Sequence, residues 1–497
     1  MRRMAKVAKL ISPHTKLAST NRASHSPRMK RYPRFILLVG LVLIIYRLAF
    51  AEEGVSVWLQ DSYSEALGDS PASSSGGPGL PDWVVQYVRW HQTVRNQFPG
   101  TSLFTDPKAP KLLVRTCTMD YECGGVHDRL GSLDWDLYLA NQTKRVLLIW
   151  WEYPLLEEYL VPPCHHFQKT PGLCLDWTVP TEVQRNLSAR RPPKFFEDIL
   201  ADWNQKKKLW PKRIGWAIAR ANNVTDSYGK NKILQHSLSA HIHQAELREK
   251  LGNETVPYDK LFRLFFRPSP DVQQEIDAVS MEAGLAPGQY AAIHLRVRYP
   301  TGVTKKDQSI ILAGKPSVDN KTRTANAADH QGLLWSGPSK EYAVGWATHA
   351  IECSQRFLLQ NKGQNEKIYM ISDSNDLVNY FVHEIRNTKD QKHLETLPPF
   401  ELSAINVANS VNLVSRDSAM ENFHLDRQQG RNVSEYYSTF VDLLLASQAR
   451  CIAYGLGRYG LFASKIGGIS CQVWYQAEAY NRASGKGDNN VPFCERN

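Results

Sequence analysis

DLLLASQARCIAYGLGRYGLFASKIGG, residues 442–468, decides the fold. Its start closes the helical stretch SEYYSTFVDLLLASQ, CIAYG (451–455) reads as a buried strand, GLGRYG (455–460) as a glycine turn and RYGLFASKIG as a second helix. CQVWY (471–475) is the next strand. Upstream the alternation repeats. YAAIHLRV (290–297) and KIYMISD (367–373) are strands, and SKEYAVGWATHAIECSQRFLLQ and NDLVNYFVHEI are helices. Residues 299–338 between them are polar and loop-like, and a long loop after a strand is often functional. The first half opens with a helix over WVVQYVRWHQTV near Asp82, then strands KLLVRTC (111–117) and RVLLIWW (145–151) around a helix from about Arg129 to Asn141. LFRLFFRPSP (261–270) suggests a strand and DVQQEIDAVSMEAG (271–284) a helix. Alternating β and α implies parallel sheets covered by helices. Two such runs, separated near residue 285, predict two Rossmann-like domains, 82–285 and 286–497, with ligand at the carboxyl ends of the strands.

Four constellations lie at such ends. ECGGVHDRL places Gly124 and Gly125 in a tight turn and Asp128 and Arg129 at the start of a helix, whose free N–H groups suit an anion or a sugar hydroxyl. A plain βα turn capped by Asp128 reads equally well. It is not a G-x-G-x-x-G fingerprint, which disfavours a nicotinamide cofactor. In IHLRVRYP, strand alternation sets His294, Arg296 and Arg298 on one face, and two guanidiniums there suit a diphosphate. The competing reading is a polar edge strand paired to carboxylates. In YMISDSND, Asp373 and Ser374 end a strand where nucleoside contacts are made, or cap the next helix. In the opening segment, Asp442 and Ser447 lie on a helix, and Gly457, Arg458, Tyr459 and Gly460 form a turn on the same rim as Asp373. Its N–H groups and Arg458 could hold phosphate, against the alternative of a turn forced by packing.

Asp134-Trp135-Asp136 matches the D-x-D of metal-dependent sugar transferases. Inside a predicted helix, i and i+2 diverge by about 200°. The pair reads as solvated helix surface, and no metal is expected.

The chain has 497 residues, enough for two to four domains, with 42% hydrophobic and 22% charged residues. That composition excludes wholesale disorder, collagen and a multi-span membrane protein. The net charge of +11 is local: residues 1–34 hold ten Lys/Arg and no acid, whereas the other 463 hold 50 basic and 49 acidic groups. A nucleic-acid partner is therefore not expected, since binding faces usually carry the excess on the folded body. FILLVGLVLII (35–45) follows the basic tail, and the run continues to residue 51. This predicts a cytoplasmic tail (1–34), a single-pass signal anchor (35–51), a flexible Ser/Gly/Pro stem (52–81) and a lumenal body. A signal peptide cleaved at the A-x-A of Ala49 and Ala51 is the alternative, with an organelle transit peptide behind it. Eight cysteines and six N-x-S/T sequons, at Asn141, Asn186, Asn223, Asn253, Asn320 and Asn432, all follow the apolar run. Both suit disulfides and glycans in an oxidising compartment.

Taken in order, ECGGVHDRLGSL with TKRVLLIWWEYP, AAIHLRVR, YMISDSND and the opening segment resemble the fucosyltransferase superfamily of GT-B fold. Its members include protein O-fucosyltransferases, α1,6-fucosyltransferases and the rhizobial nodulation fucosyltransferase. The resemblance covers roughly residues 110–475. It implies a GT-B architecture, two Rossmann-like domains facing a cleft. It also implies an inverting, metal-independent transferase that moves fucose from GDP-fucose to a glycan or glycoprotein hydroxyl, with no cofactor. By the same resemblance Arg296 would bind the diphosphate, aided by Arg298 and placed by His294. Asp373 would contact the nucleoside, and Asp442, Ser447 and the 457–460 turn would complete the donor pocket. Asp128 and Arg129 would lie where sugar and acceptor meet, with Asp128 the first candidate base and Glu152 the second. The implied location is the Golgi or endoplasmic-reticulum membrane. Three departures stand out. His127 replaces the family's usual Gly or Asn, no acid follows the H-x-R, and Arg-Tyr sits in a turn that is commonly Ser-rich. The alternatives are a transferase using another nucleotide sugar and a catalytically silent lumenal glycan-binding protein.

Overall fold

The computed structural model describes residues 79–117, 124–166, 173–188, 225–226, 229–230, 233–236, 256–297, 337–358, 366–385, 396–416, 422, 425, 432–455, 457–475 and 494–496. The tail, the apolar run, nearly all of the stem, Arg298 and the loop up to residue 336 lie outside them. Among the described residues no helix is long and apolar enough to cross a membrane. Every element below belongs to one compact unit, Ala66–Asn497; the other unit, Met1–Glu65, falls outside the described residues.

The chain begins with α1 (Asp82–Gln97), β1 (Lys111–Cys117), α2 (Val126–Leu130), α3 (Leu133–Thr143) and β2 (Arg145–Trp151). After β3 (Ile233–His236) come α4 (Tyr258–Phe265) and α5 (Pro270–Ala283). The strands form a parallel sheet in the order β2-β1-β3. Every residue of β2 and all of β1 except Lys111 are buried, as expected of unbroken apolar strands covered on both faces. The outer edge of β2 is closed by side chains of α1. The Tyr87 hydroxyl donates to the Arg145 carbonyl (2.9 Å) and accepts the Leu147 N–H (3.0 Å), and His91 Nε2 lies 3.0 Å from the Leu147 carbonyl. An open strand edge is thus paired without another strand.

Two expectations are corrected here. The helix predicted over 129–141 is two helices, α2 and α3, separated by Gly131 and Ser132. The strand predicted at 261–270 is mostly helix. Leu261, Phe262, Leu264 and Phe265 recur at helical spacing and bury one side of α4, and within 261–270 the strand is reduced to Arg267–Pro268. α5 follows its signals, with Ser269 as N-cap, Pro270 in the first turn and Gly284 left-handed at the C-terminus.

The second half contains β4 (Ala291–Leu295), α6 (Gly337–Leu358), β5 (Lys367–Ser372), α7 (Asn375–Asn379), α8 (Pro399–Ser410) and β6 (Asn412–Val414). It ends with α9 (Tyr437–Ser447), β7 (Cys451–Tyr454), α10 (Tyr459–Gly467), β8 (Cys471–Tyr475) and β9 (Cys494–Arg496). The sheet order is β6-β5-β4-β7-β8-β9, parallel except for the antiparallel β9. Counted along the chain that is 3-2-1-4-5-6, the doubly wound order, with its switch point between β4 and β7. Strand alternation sorts the two faces. Ala291, Ile293 and Leu295 pack with α6 and α8, whereas Ala292 packs with α9 and α10.

The apolar core is continuous between the halves. Leu113 and Leu147 of the first sheet, α4, α5, α9 and α10 share one cluster. The Tyr159 ring stacks on Phe440 at 4.4 Å, and Phe262 meets Phe462 edge-on at 6.3 Å. The division drawn near residue 285 falls between α5 and β4, and the core runs across it. Disulfides join Cys164 to Cys174 and, at paired positions of β7 and β8, Cys451 to Cys471. Cys117 and Cys353 are also disulfide-bonded.

Candidate active site

The carboxyl ends of β4, β5 and β7 open into a cleft at the switch point. Three groups of residues line it. His294 and Arg296 continue one face of β4 past its end, and Ile371, Ser372 and Asp373 end β5. Gly457, Arg458 and Tyr459 open α10, and Thr439 belongs to α9. Opposite them stand Gly125, Val126, His127 and Asp128 from the glycine loop after β1, with Asn422 and Leu425 completing the wall.

Each predicted residue in the cleft has a local reason to be there. A Cβ on Gly457 (φ +83°) would lie 2.9 Å from both Cδ and Nη1 of Arg296, so the guanidinium lies across a bare glycine. Gly457 leads into α10, whose first N–H groups lack intrahelical partners, and Arg458 adds a second cation at the exposed rim. His294 is buried beside Tyr459, ring centroids 5.1 Å apart. Burial, with Arg296 nearby, pushes its pKa down to about 3, so the imidazole is neutral. Asp373 Oδ1 accepts the Val297 N–H (2.8 Å), which ties the ends of β5 and β4 together. Asp128 makes the contact of the capping alternative. Its Oδ2 accepts the Gly125 N–H (3.1 Å) while the residue lines the cleft. His127, beside it, sits edge-on to Phe462 of α10 at 5.4 Å, and burial lowers its pKa.

Other predicted residues are placed elsewhere. Arg129 is buried, its Nε donating to the Gly124 carbonyl (3.1 Å) and its guanidinium 4.7 Å from the Trp151 ring centroid; it braces the loop and does not line the cleft. Gly124 accepts that bond and also stands behind the wall. Glu152 follows β2, its N–H bonded to the Cys117 carbonyl (2.7 Å), and is not among the lining residues. Ser374 is the N-cap of α7, accepting the Leu377 N–H (3.4 Å), which is the capping alternative. Gly460 lets α10 approach Tyr454 and His294. Ser447 sits at the far end of α9, bonded to the Leu444 carbonyl, near the start of β7 and away from the cleft. Asp442 is buried beneath the lining. Arg298 lies outside the described residues.

The solvated-surface reading of the D-x-D is corrected. Asp136 is fully buried and paired to Arg115 (3.1 Å), whose Nε and Nη2 donate to the carbonyls of Arg129 (3.0 Å) and Asp128 (3.2 Å). Burial pushes the Asp134 carboxyl up to about 6. The motif is thus part of the support under the glycine loop. Among the described residues, no group of three or more His, Cys, Asp or Glu could hold a metal.

Sequence reasoning missed Thr439, Leu425 and Asn422 as cleft residues. Asn422 belongs to no helix or strand, so no periodic signal marked it.

No protein-family model matches the chain, and no curated protein matches it. Among solved structures it is similar to NodZ α-1,6-fucosyltransferase soaked with GDP-fucose, at 12% identity over 78% of this chain and 99% of that one, TM-score 0.38. It is similar to a mutant of Arabidopsis thaliana FUT1 in complex with GDP, at 10% identity over 87% and 89%, TM-score 0.44. It is similar to POFUT1 in complex with GDP, at 12% identity over 73% and 95%, TM-score 0.30. A likeness this low in identity and overlap is no argument for function; the residues of the cleft have to supply one.

Proposed function

We propose that the chain is an inverting, metal-independent fucosyltransferase that moves fucose from GDP-fucose to a glycan or glycoprotein hydroxyl. The observation that carries this is the position of Arg296 at the switch point of a doubly wound sheet, laid across Gly457 at the start of α10. Nucleotides bind doubly wound sheets at that point, and a guanidinium beside a helix N-terminus suits a diphosphate. Arg296 and Arg458 would stabilise the charge that develops on the leaving diphosphate, the role a metal plays in other transferases. Asp373 and Asn422 stand where β5 ends, on the side suited to the nucleoside.

Across the cleft, Asp128 is the one carboxylate of the glycine loop in the lining among the described residues. Held by the Gly125 N–H, it would take the proton of the attacking hydroxyl as that oxygen bonds to C1 of fucose and the bond from C1 to the diphosphate breaks. The basic tail and apolar run support a single-pass anchor in a Golgi or endoplasmic-reticulum membrane, with the disulfide-bonded body on the lumenal side.

Calorimetric titration of the full chain with GDP-fucose, GDP-mannose and UDP-galactose, with EDTA present, tests the reading. Binding of GDP-fucose alone is expected. Binding of UDP-galactose in its place, or of none of the three, would overturn the donor. Arg296→Ala is expected to abolish transfer and leave folding intact; near-normal turnover would refute the role of that guanidinium.

A further inference from the structure

The helix that carries Asp128 is too short to hold itself. α2 has five residues, Val126–Leu130, and a helix of that length is not stable on its own. Val126, His127 and Asp128 line the cleft, and the last carbonyls of so short a helix lack intrahelical donors. Two side chains from other elements take them. Arg115 of β1 donates from Nη2 to the Asp128 carbonyl (3.2 Å) and from Nε to the Arg129 carbonyl (3.0 Å). The Tyr258 hydroxyl, at the start of α4, donates to the Leu130 carbonyl. Burial raises the pKa of that phenol, so it stays protonated and remains a donor. The carbonyls of 128, 129 and 130 are thus all held, by residues that are not among the cleft lining. Arg115 is itself fixed, since its Nη1 lies 3.1 Å from Asp136 Oδ2 and both side chains are buried. It shares its face of β1 with Leu113 and Cys117, which pack in one apolar cluster with Leu130 and Leu133. A buried ion pair adds little net stability over apolar packing of the same volume. What Arg115 supplies, and an apolar side chain in its place could not, is donors for the backbone that carries Asp128.

We propose that Arg115 and Tyr258 are positioning residues for the transfer step: they hold the backbone of α2 so that the Asp128 carboxylate meets the attacking hydroxyl, and Asp136 of the D-x-D acts through Arg115. The inference rests on the reading of the cleft as a fucosyl-transfer site with Asp128 as base. In that step the hydroxyl oxygen bonds to C1 of fucose, the bond from C1 to the diphosphate breaks, and the proton goes to Asp128. The groups assigned to the diphosphate, Arg296 and Arg458, come from the second half of the chain. A hold on α2 therefore acts on turnover and leaves donor binding alone, because a small misplacement of a reacting group slows the step without loosening the grip on the donor.

The test follows release of GDP from GDP-fucose, with water as the acceptor, in wild type, Tyr258→Phe, Arg115→Lys and Tyr290→Phe. Phenylalanine at 258 keeps the ring beside Phe462 (centroids 5.9 Å apart) and removes only the hydroxyl. Lysine at 115 keeps a cation beside Asp136 but not a fork that reaches two carbonyls. Tyr290 is the control. Its hydroxyl donates to the Leu445 carbonyl in the last turn of α9, and neither residue is among the cleft lining. Tyr258→Phe and Arg115→Lys are expected to lower kcat about tenfold to a hundredfold and to leave KM for GDP-fucose unchanged. Tyr290→Phe loses a bond of the same kind and is expected to change neither. In an Asp128→Asn background Tyr258→Phe is expected to cost nothing further, because it acts through that carboxylate. Hydrogen exchange reads the hold without activity: amides of 124–131 should exchange about tenfold faster in Tyr258→Phe and Arg115→Lys, with the rest of the chain as in wild type. If Arg115→Lys fails to fold, Tyr258→Phe carries the test. A kcat that ignores the variants, a loss that appears in KM instead, or a full further loss in the Asp128→Asn background overturns the proposal. So does exchange that is unchanged at 124–131, or faster throughout the chain, which marks a role in stability alone. A wild-type chain that releases no GDP from GDP-fucose sinks the transferase reading and this inference together; turnover that ignores Tyr258 and Arg115 sinks only the inference.

Discussion

Replacing Gly457 by alanine separates the geometry of the site from the stability of the fold. The residue has φ +83°, and a Cβ there would stand 2.9 Å from Cδ and Nη1 of Arg296, closer than carbon and nitrogen atoms pack. Two costs follow. A non-glycine residue in the left-handed region loses about 1–2 kcal/mol, which lowers the unfolding midpoint by a few degrees, at most about 4 °C per kcal/mol for a chain this long. The guanidinium must also swing off the turn. If Arg296 holds a diphosphate, moving it forfeits a charge-assisted hydrogen bond worth about 1.5–3 kcal/mol, or about ten- to 150-fold in affinity. Gly288→Ala is the matched control. Gly288 has φ +71° with nothing within 4 Å of the added Cβ, and it precedes β4 at the end away from the cleft. Both variants should lose similar stability by thermal unfolding, and only Gly457→Ala should lose GDP in calorimetry. Equal GDP affinity in the two variants would refute the role given to Arg296.

Asp136→Asn should destabilise the chain by about 3–5 kcal/mol in chemical denaturation, because it leaves the buried Arg115 guanidinium without its carboxylate; a loss under 1 kcal/mol would contradict the support role. Ser374→Ala should cost about 1 kcal/mol as a lost N-cap and leave GDP affinity untouched; a fall in affinity would return Ser374 to the donor site. Burial pushes the Glu157 carboxyl up to about 7. A carboxyl whose folded pKa exceeds its unfolded value of about 4.3 makes wild type lose stability as pH rises through that interval. Glu157→Gln should therefore match wild type in unfolding midpoint near pH 4 and exceed it at pH 8, and a constant difference at both would be the wrong result.

The strands were legible because their signal is local. β1 and β2 have the ends that the apolar runs KLLVRTC and RVLLIWW predict, and CQVWY spans β8. YAAIHLRV and KIYMISD each overrun their strands, by one residue at the start and two at the end for β4 and by one at the end for β5. That overrun is informative, since Arg296 and Asp373 are the residues that leave the sheet and line the cleft. The helix α4 was misread because LFRLFF is compatible with both periods, and only its packing against Phe462 of α10 selects the helical one. α8 and β6 went unread; β6 is three residues long and carries little pattern.

Residues that line the cleft at a strand end or turn, such as Arg296, Asp373 and Gly457, can be placed from sequence, because alternation and glycine turns position them one element at a time. Residues that act through a distant partner cannot. Asp442, Ser447, Ser374 and Arg129 sit in segments read as sites, yet the fold uses them in a buried hub, a helix end, a cap and a brace. Asn422 reaches the cleft from outside any regular element because Asp442, 20 residues later, and the end of β5, 50 residues earlier, take its two hydrogens. Periodicity records which way a side chain faces within its own helix or strand. What it meets there depends on chain closure over tens to hundreds of residues, and that only the packed structure supplies.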